Sequence, residues 1–106
     1  MPQSPAPDPA SNPIPPQPLT RTLTICNAKG LHARASARFV ETVESFDAMA
    51  TVRRDGQTVT GDSIMGLLML AASQGTTIDV SVDGPQADAL MLALETLVAD
   101  RFGEER

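Results

Sequence analysis

The spacing of apolar residues switches repeatedly between two periods after residue 20, and this pattern restricts the fold more than any other feature. Apolar residues three and four positions apart predict helices from Ala33, over 63–72, and from Pro85 to near 102–103. Alternating apolar residues predict strands at 22–26, 48–53, 57–60 and 77–83. The predicted element order is β-α-β-β-α-β-α.

These elements predict an α+β fold built in two layers. Each strand presents one apolar face and each helix an apolar side, so these surfaces pack against one another. We therefore expect an open-faced two-layer β-sandwich, in which three helices cover one face of a four-stranded antiparallel sheet. The Asp55-Gly56 turn joins the second and third strands as a hairpin. We expect the first and fourth strands to lie near the middle of the sheet.

Two of the helices supply most of the predicted core through apolar stripes at helical spacing. The first helix carries Phe39, Val40, Val43 and Phe46, extended backward by Ser36 and Ala33. The last helix carries Leu90, Leu94, Leu97 and Val98.

The first nineteen residues differ in composition from the rest of the chain. They hold eight of the nine prolines, which block helix and central strand alike, and too few apolar side chains for a core. This composition predicts a disordered proline-rich tail over 1–19, without the basic and apolar regions of a secretory signal. A solvated extension is favoured over a proline-rich recognition ligand. Residues 20–106 then form one small domain.

Charge and residue content disfavour several classes of function. The net charge is −5, and the aromatic residues are three phenylalanines, which suits nucleic acid poorly. The single Cys26 excludes an internal disulfide and a cysteine-based zinc cluster, and it fits a reducing, cytoplasmic location. No apolar run approaches the ~20 residues that span a bilayer, so we expect no membrane insertion. We expect no cofactor and no metal, and partners that are proteins.

The only histidine, His32, lies where the first strand gives way to the first helix. Unpaired backbone N–H groups and the positive end of the helix dipole suit a phosphate carried on its ring. Arg34 adds a planar cation for phosphate oxygens. With the helix end, it disfavours imidazolium and leaves a neutral, nucleophilic ring. A lone histidine is more often a surface or capping residue, but this loop-to-helix position favours chemistry.

The surroundings of His32 in the sequence limit what that chemistry is. No second histidine, catalytic carboxylate pair or phosphate-gripping glycine loop accompanies it. The site is therefore predicted to accept a group and hand it on, without forming a complete enzyme active site.

Two motifs at a fixed separation carry a family resemblance. They are Gly-Leu-His-Ala-Arg at 30–34 and Gly-Asp-Ser-Ile-Met-Gly-Leu at 61–67. Over 20–106 the chain resembles the HPr family, the histidine-containing phosphocarriers of the bacterial phosphoenolpyruvate-dependent phosphotransferase system. The resemblance implies that phospho-enzyme I phosphorylates His32 on Nδ1 and that the group passes to an enzyme IIA-type acceptor. It also implies that Arg34 neutralises the phosphate in both transfers.

The same resemblance extends to a regulatory serine and a docking surface. Ser63 is a good helix N-cap, and the resemblance also makes it the target of HPr kinase/phosphorylase. The helix after it is too apolar to bury every side. We expect Ile64, Met65 and Leu68 to stay exposed because they share the end nearest Ser63. In the family this helix docks enzyme I and other partners, and we expect Arg38 at the rim of that surface.

The chain departs from the family in three places. Ala35 stands where the family usually has proline, and we expect slightly altered transfer rates from this change. Asp62 precedes Ser63, where many relatives carry a different residue, and its charge is expected to hinder phosphorylation of the serine. The long proline-rich extension is also atypical of a compact phosphocarrier.

Two further functions remain open beside a stoichiometric phosphoryl carrier that is monomeric by default. One is a regulatory protein of a nitrogen- or carbon-control phosphotransferase branch, whose phosphorylation state is read by kinases or regulators without sugar transport. The other is a small-ligand or RNA-binding α/β sandwich. That class is expected to show exposed aromatic residues or a basic stripe on the sheet, and the sequence contains neither. As a phosphocarrier, the protein is expected to be an intermediate in phosphoryl transfer and not a turnover enzyme by itself.

Overall fold

A computed structural model describes residues 18–106 of the chain. The predicted proline-rich tail therefore lies outside the described residues, except for its last two positions. Leu19 already belongs to the first strand, so the sheet begins one residue earlier than the predicted domain boundary. The elements are β1 (Leu19–Thr24), α1 (Ala33–Glu44), β2 (Met49–Arg54), β3 (Gln57–Thr60), α2 (Ile64–Met69), β4 (Thr77–Asp83), α3 (Ala87–Ala99) and a short C-terminal turn (Arg101–Gly103).

The four strands form one antiparallel sheet in the order β1-β4-β2-β3. The expectation that the first strand lies near the middle is wrong, whereas β4 is central as expected. The connection through α1 carries the chain two positions across the sheet, from β1 to β2. The later strand β4 lies between β1 and β2 and pairs with both of them. Its Val80 is opposite Arg21 of β1 and Val52 of β2. This order leaves β1 and β3 at the edges.

The core lies between one face of the sheet and the helices, as the alternating pattern predicted. Along β4 the side chains of Ile78, Val80 and Val82 are buried, while the residues between them face away. On the opposite face, Thr22 donates a hydrogen bond to Asp79 at 2.7 Å. Helix α1 packs against α2 and α3, and α3 packs against β1 and β4. The open-faced two-layer architecture is confirmed.

The start of α1 differs slightly from its predicted stripe. Ala33 is exposed, and the buried stripe begins instead at Ala35, which precedes Phe39 by four residues. Ser36 is buried as expected, where its hydroxyl donates to the Leu31 carbonyl at 3.3 Å. A small apolar residue, Ala35, is therefore completely buried in the first turn of the helix.

Helix α2 is shorter than the predicted span of 63–72. It ends at Met69 because Ala71 has a left-handed backbone, with φ of 52°, and the neighbouring Leu70 and Ala72 both turn into the core. Similarly, Pro85 lies just before α3 and not in its first turn. No helix within residues 18–106 is long and apolar enough to cross a bilayer.

Candidate functional site

His32 is the N-cap residue of α1, where the chain changes from extended to helical backbone. Its carbonyl accepts the N–H of Ser36 at 2.8 Å, which is the first hydrogen bond of the helix. Its ring atom Nδ1 accepts the backbone N–H of Arg34 at 3.3 Å. An Nδ1 that accepts a hydrogen bond carries no proton, so this geometry selects the tautomer with its proton on Nε2. The side chain is 27% exposed, which leaves the ring accessible.

The loop that presents His32 rests on the connection between α2 and β4. Gly30 has φ of 67°, and a Cβ there would lie 2.6 Å from the Ala72 carbonyl oxygen and 2.9 Å from Ser73 Cα. The next residue, Leu31, donates its N–H to that same carbonyl at 2.9 Å. Only glycine combines this backbone conformation with such a close approach. The early end of α2 thus produces the carbonyl that supports the histidine loop.

A carboxylate from the far end of the chain reaches the other ring nitrogen. Glu104 Oε2 contacts His32 Nε2, and Glu104 Oε1 accepts a hydrogen bond from Asn27 Nδ2 at 2.9 Å. Asn27 is fully buried, and its Nδ2 also donates to the Gly30 carbonyl at 2.8 Å. The two ring nitrogens of His32 therefore have different partners: a backbone N–H on Nδ1 and a carboxylate on Nε2.

The surroundings of Glu104 favour its charged form. Burial raises the pKa of this carboxyl, but the hydrogen bonds from Asn27 and His32, together with the charges of His32 and Lys29, outweigh that effect. The net pKa is therefore below the ordinary value of 4.5. At neutral pH the group beside the ring is a carboxylate.

An open cleft runs from the start of α1 to the C-terminal residues, and four cationic side chains line it beside two glutamates, Glu104 and Glu105. Its lining includes His32 together with Lys29, Arg34, Arg38 and Arg106. Arg38, which the sequence placed at the rim of a partner surface, donates from Nη1 to the Phe102 carbonyl at 2.5 Å. This side chain therefore caps the C-terminal turn as well as lining the cleft. The cleft combines a nucleophilic ring nitrogen with positive charge, which suits a phosphate dianion.

Ser63 is the N-cap of α2 and is half-buried, with its Oγ accepting the Gly66 N–H at 3.0 Å. Ile64 and Met65, which follow it, are 40% and 68% exposed, as the sequence predicted. Leu68 is half-buried, so its predicted exposure is wrong. Met69, one residue further along the helix, is 69% exposed instead. The exposed apolar residues of α2 are therefore Ile64, Met65 and Met69.

Sequence reasoning found the histidine and its arginine but missed Glu104 and Asn27. These residues are separated by 77 positions, and a single carboxylate near the end of a chain carries no motif. The structure brings both to His32, whereas Ser63 lies at the start of a different helix. Within the described residues, no three side chains of His, Cys, Asp or Glu cluster in a way that could hold a metal ion.

Comparison with known proteins agrees with this fold. Residues 19–100 match the family model described as "PTS HPr component phosphorylation site". The chain is 45% identical over 87 residues to the phosphocarrier protein HPr of Xylella fastidiosa strain Temecula1, covering 82% of this chain and 98% of that relative. It is 40% identical over 86 residues to the phosphocarrier protein NPr of Shewanella violacea, covering 81% and 94%.

Solved structures show the same architecture. The crystal structure of HPr-C-His from Thermoanaerobacter tengcongensis matches with a TM-score of 0.79 and 38% identity, over 83% of this chain and 99% of that one. A structure described as an HPr dimer from the same organism matches with a TM-score of 0.65 and 38% identity, over 77% and 94%. The α+β fold described above is thus shared with both of these structures. The chain belongs to the HPr family of phosphocarrier proteins of the phosphotransferase system.

Proposed function

We propose that this protein accepts a phosphoryl group on His32 Nδ1 from phospho-enzyme I and passes it to an enzyme IIA-type acceptor. The observation that carries the proposal is the placement of the ring. Nδ1 lies at the start of α1 without a proton of its own, at the edge of a cleft that Arg34 lines. A neutral imidazole nitrogen that carries no proton is a competent nucleophile for phosphoryl transfer once its electron pair gives up the 3.3 Å hydrogen bond from the Arg34 N–H.

The transfer requires no proton to leave the ring. The Nδ1 electron pair forms the new nitrogen–phosphorus bond, the bond between phosphorus and the donor breaks, and its electron pair stays on the donor. The phosphate then lies beside the backbone N–H groups of the first helical turn, which have no partner within the helix. Arg34 supplies the positive charge that neutralises the phosphoryl oxygens. In the second transfer the acceptor forms a bond to phosphorus, the nitrogen–phosphorus bond breaks, and its electron pair returns to Nδ1.

The proposal is tested by intact mass after incubation with enzyme I and phosphoenolpyruvate. We expect one acid-labile phosphate on the native chain and none on His32→Ala. Ser63→Ala is the matched control, which is expected to be phosphorylated like the native chain. Absence of phosphate from the native chain, with the same enzyme I active on a known carrier, would contradict the proposal.

Regulation at Ser63 is a second part of the proposal. The hydroxyl caps a helix N-terminus, where a phosphate is electrostatically tolerated with little refolding. Incubation with ATP and HPr kinase/phosphorylase is expected to leave an acid-stable phosphate on the native chain and on Ser73→Ala, an exposed serine in the next loop. Ser63→Ala is expected to remain unmodified. Phosphate on Ser63→Ala would place the modification elsewhere.

The exposed residues of α2 are proposed as the surface that docks enzyme I, with Arg38 contributing beside the cleft. Methionine side chains adapt to successive partners, which suits a carrier that docks and releases. Met65→Glu is expected to raise the KM for enzyme I about tenfold, because an apolar contact near the centre of the interface is lost. Leu92→Glu changes a similarly exposed residue on α3 and is expected to leave KM unchanged. A cytoplasmic, monomeric protein fits this exchange between partners.

A purely regulatory phosphocarrier is the second candidate function. It is favoured by the similarity to a relative named NPr, 40% identical to this chain, as well as to one named HPr, 45% identical. The two functions differ in the acceptor. Purified sugar-specific and regulatory enzyme IIA-type proteins, offered together to the phosphorylated chain, are expected to compete, and the acceptor that is labelled first identifies the branch.

A further inference from the structure

The C-terminal turn holds an unusual backbone conformation in a fixed place. Arg101 and Phe102 both have φ of 56°, and Gly103 has φ of 80°, so three successive residues are left-handed. Such conformations are unfavourable for side-chain-bearing residues and persist only when surrounding contacts impose them. Here the Phe102 ring is completely buried in the core. The Arg38 guanidinium donates a hydrogen bond to the Phe102 carbonyl.

The consequence of this turn is the position of Glu104. The chain reverses direction immediately after α3, and the N–H of Glu104 is donated to the Arg101 carbonyl at 2.9 Å. The Glu104 side chain then points back to the start of α1, where each carboxylate oxygen has its own partner. The side chain is only 18% exposed, unlike that of a typical surface ion pair.

The partner on Oε1 ties Glu104 to the same loop that carries the histidine. Asn27 is fully buried, and its amide donates both to Glu104 and to the carbonyl of Gly30, two residues before His32. Glu104 and the histidine loop are thus fixed relative to each other through one buried side chain. A carboxylate held in this way can define the direction of a ring that contacts it.

We propose that Glu104 is a positioning residue for phosphoryl transfer: its carboxylate accepts the Nε2–H of His32 and thereby keeps Nδ1 unprotonated and facing the first turn of α1. This inference rests on the proposed function, because it concerns the same ring. Without the carboxylate, only the 3.3 Å hydrogen bond from the Arg34 N–H still disfavours a proton on Nδ1, and the proton distributes more evenly between the two nitrogens. A ring protonated on Nδ1 has no electron pair there with which to attack phosphorus.

The same contact serves the phosphorylated state. After transfer, Nδ1 is bonded to phosphorus and Nε2 still carries its proton, so the ring has positive charge. The Glu104 carboxylate lies at Nε2, on the side of the ring away from the phosphate. It compensates the positive charge of the ring there, and its own negative charge is kept away from the phosphoryl oxygens. The position of the carboxylate on Nε2, not on Nδ1, is what allows it to act in both states.

The experiment measures the tautomer and the transfer rate separately, on the full chain. Long-range ¹H–¹⁵N spectra of the unphosphorylated imidazole, recorded above the range in which the ring is protonated, report which nitrogen carries the proton. Initial rates with phospho-enzyme I, over a range of carrier concentrations, give kcat and KM. The variants are Glu104→Ala, which removes the acceptor, and Glu104→Gln, which keeps a neutral one. Glu105→Gln removes the same charge from a neighbour that lines the cleft without a hydrogen bond to the ring.

In the native chain and in Glu105→Gln we expect the Nε2–H tautomer to dominate. In Glu104→Ala we expect a mixture of tautomers and a kcat reduced about tenfold with little change in KM, the effect of losing one hydrogen bond to a charged group. Glu104→Gln is expected to recover the tautomer in part and kcat in part. Backbone amide spectra confirm that each variant is folded.

Three results would overturn the inference while the proposed function stands, and the first two concern Glu104→Ala. One is a native tautomer distribution in Glu104→Ala, and the other is an altered tautomer with an unchanged kcat. A fall in kcat for Glu105→Gln equal to that for Glu104→Ala would also overturn it, because charge alone would then be responsible. Failure of the native chain to accept phosphate contradicts the proposed function itself, whatever the tautomer.

Discussion

At the scale of single residues, the site depends on atoms that a sequence motif does not describe. His32 and Arg34 belong to a short motif and were predicted as partners. Their observed contact, however, joins the backbone N–H of Arg34 to the ring and leaves the guanidinium to line the cleft. The contribution of Glu104 was not predictable, because nothing in the sequence places it near residue 32. A motif therefore identified the candidate histidine but only half of its immediate surroundings.

The lowered pKa of Glu104 gives the stability of the protein a defined pH dependence. Since the folded pKa lies below 4.5, the contribution of the carboxylate is fully present above about pH 4.5 and is lost as pH falls through the folded value. We expect Glu104→Gln to lower the free energy of unfolding by about 0.5 kcal/mol at neutral pH, the low end for a net hydrogen bond, because the carboxylate is partly exposed. Urea denaturation at neutral and acidic pH measures this, and the difference from the native chain is expected to shrink on acidification. A difference that grows on acidification would contradict the assignment.

Gly30 is the residue at which a minimal substitution is expected to cost most. Gly30→Ala places a Cβ against the Ala72 carbonyl oxygen and Ser73 Cα, on a backbone with φ of 67°. We expect a loss of about 1 kcal/mol from the conformation and further loss from the clash. Gly75→Ala is the matched control, since φ there is 87° but no atom lies within 4 Å of its Cβ. Chemical denaturation of both variants separates the two effects, and equal losses would show that the close approach is unimportant.

At the scale of elements, periodicity predicted most helices and strands well, and the errors occur where tertiary contacts decide. β3 and β4 have the predicted bounds, Gln57–Thr60 and Thr77–Asp83. Helix α2 ends early because Ala71 adopts a left-handed conformation that lets both of its neighbours enter the core. The pattern of apolar residues predicts which side chains are buried. The pattern does not reveal whether a buried side chain belongs to a helix or to a turn.

The C-terminal turn is the element that links the core to the site. Phe102→Ala removes a fully buried ring and is expected to cost about 3–5 kcal/mol of unfolding free energy. Phe102→Leu keeps an apolar anchor and is expected to cost less and to remain folded for functional assays. Leu92→Ala truncates a residue that is 67% exposed and serves as the control, with little change expected. Thermal and urea unfolding provide the values; a loss below about 1 kcal/mol in Phe102→Ala would show that the turn is not anchored through its ring.

At the scale of the whole molecule, the layers followed from the sequence but the order of strands did not. One apolar face per strand, with three one-sided helices, required a sheet covered on one side. Which strand lies at the edge depends instead on how far each helical connection travels, and no residue pattern encodes that distance. The resulting arrangement brings the β1–α1 loop, the α2–β4 connection and the C-terminal turn to the same end of the molecule. The histidine site is assembled from these three segments.

The most direct test of this account is the chemical position of phosphate on the intact protein. The chain is phosphorylated with enzyme I and phosphoenolpyruvate, and ³¹P and long-range ¹H–¹⁵N spectra are recorded at alkaline pH, where phosphohistidine persists. The account predicts a single phosphohistidine, bonded through Nδ1 of His32, with the proton on Nε2. Phosphate on Nε2, or on any residue other than His32, would contradict it.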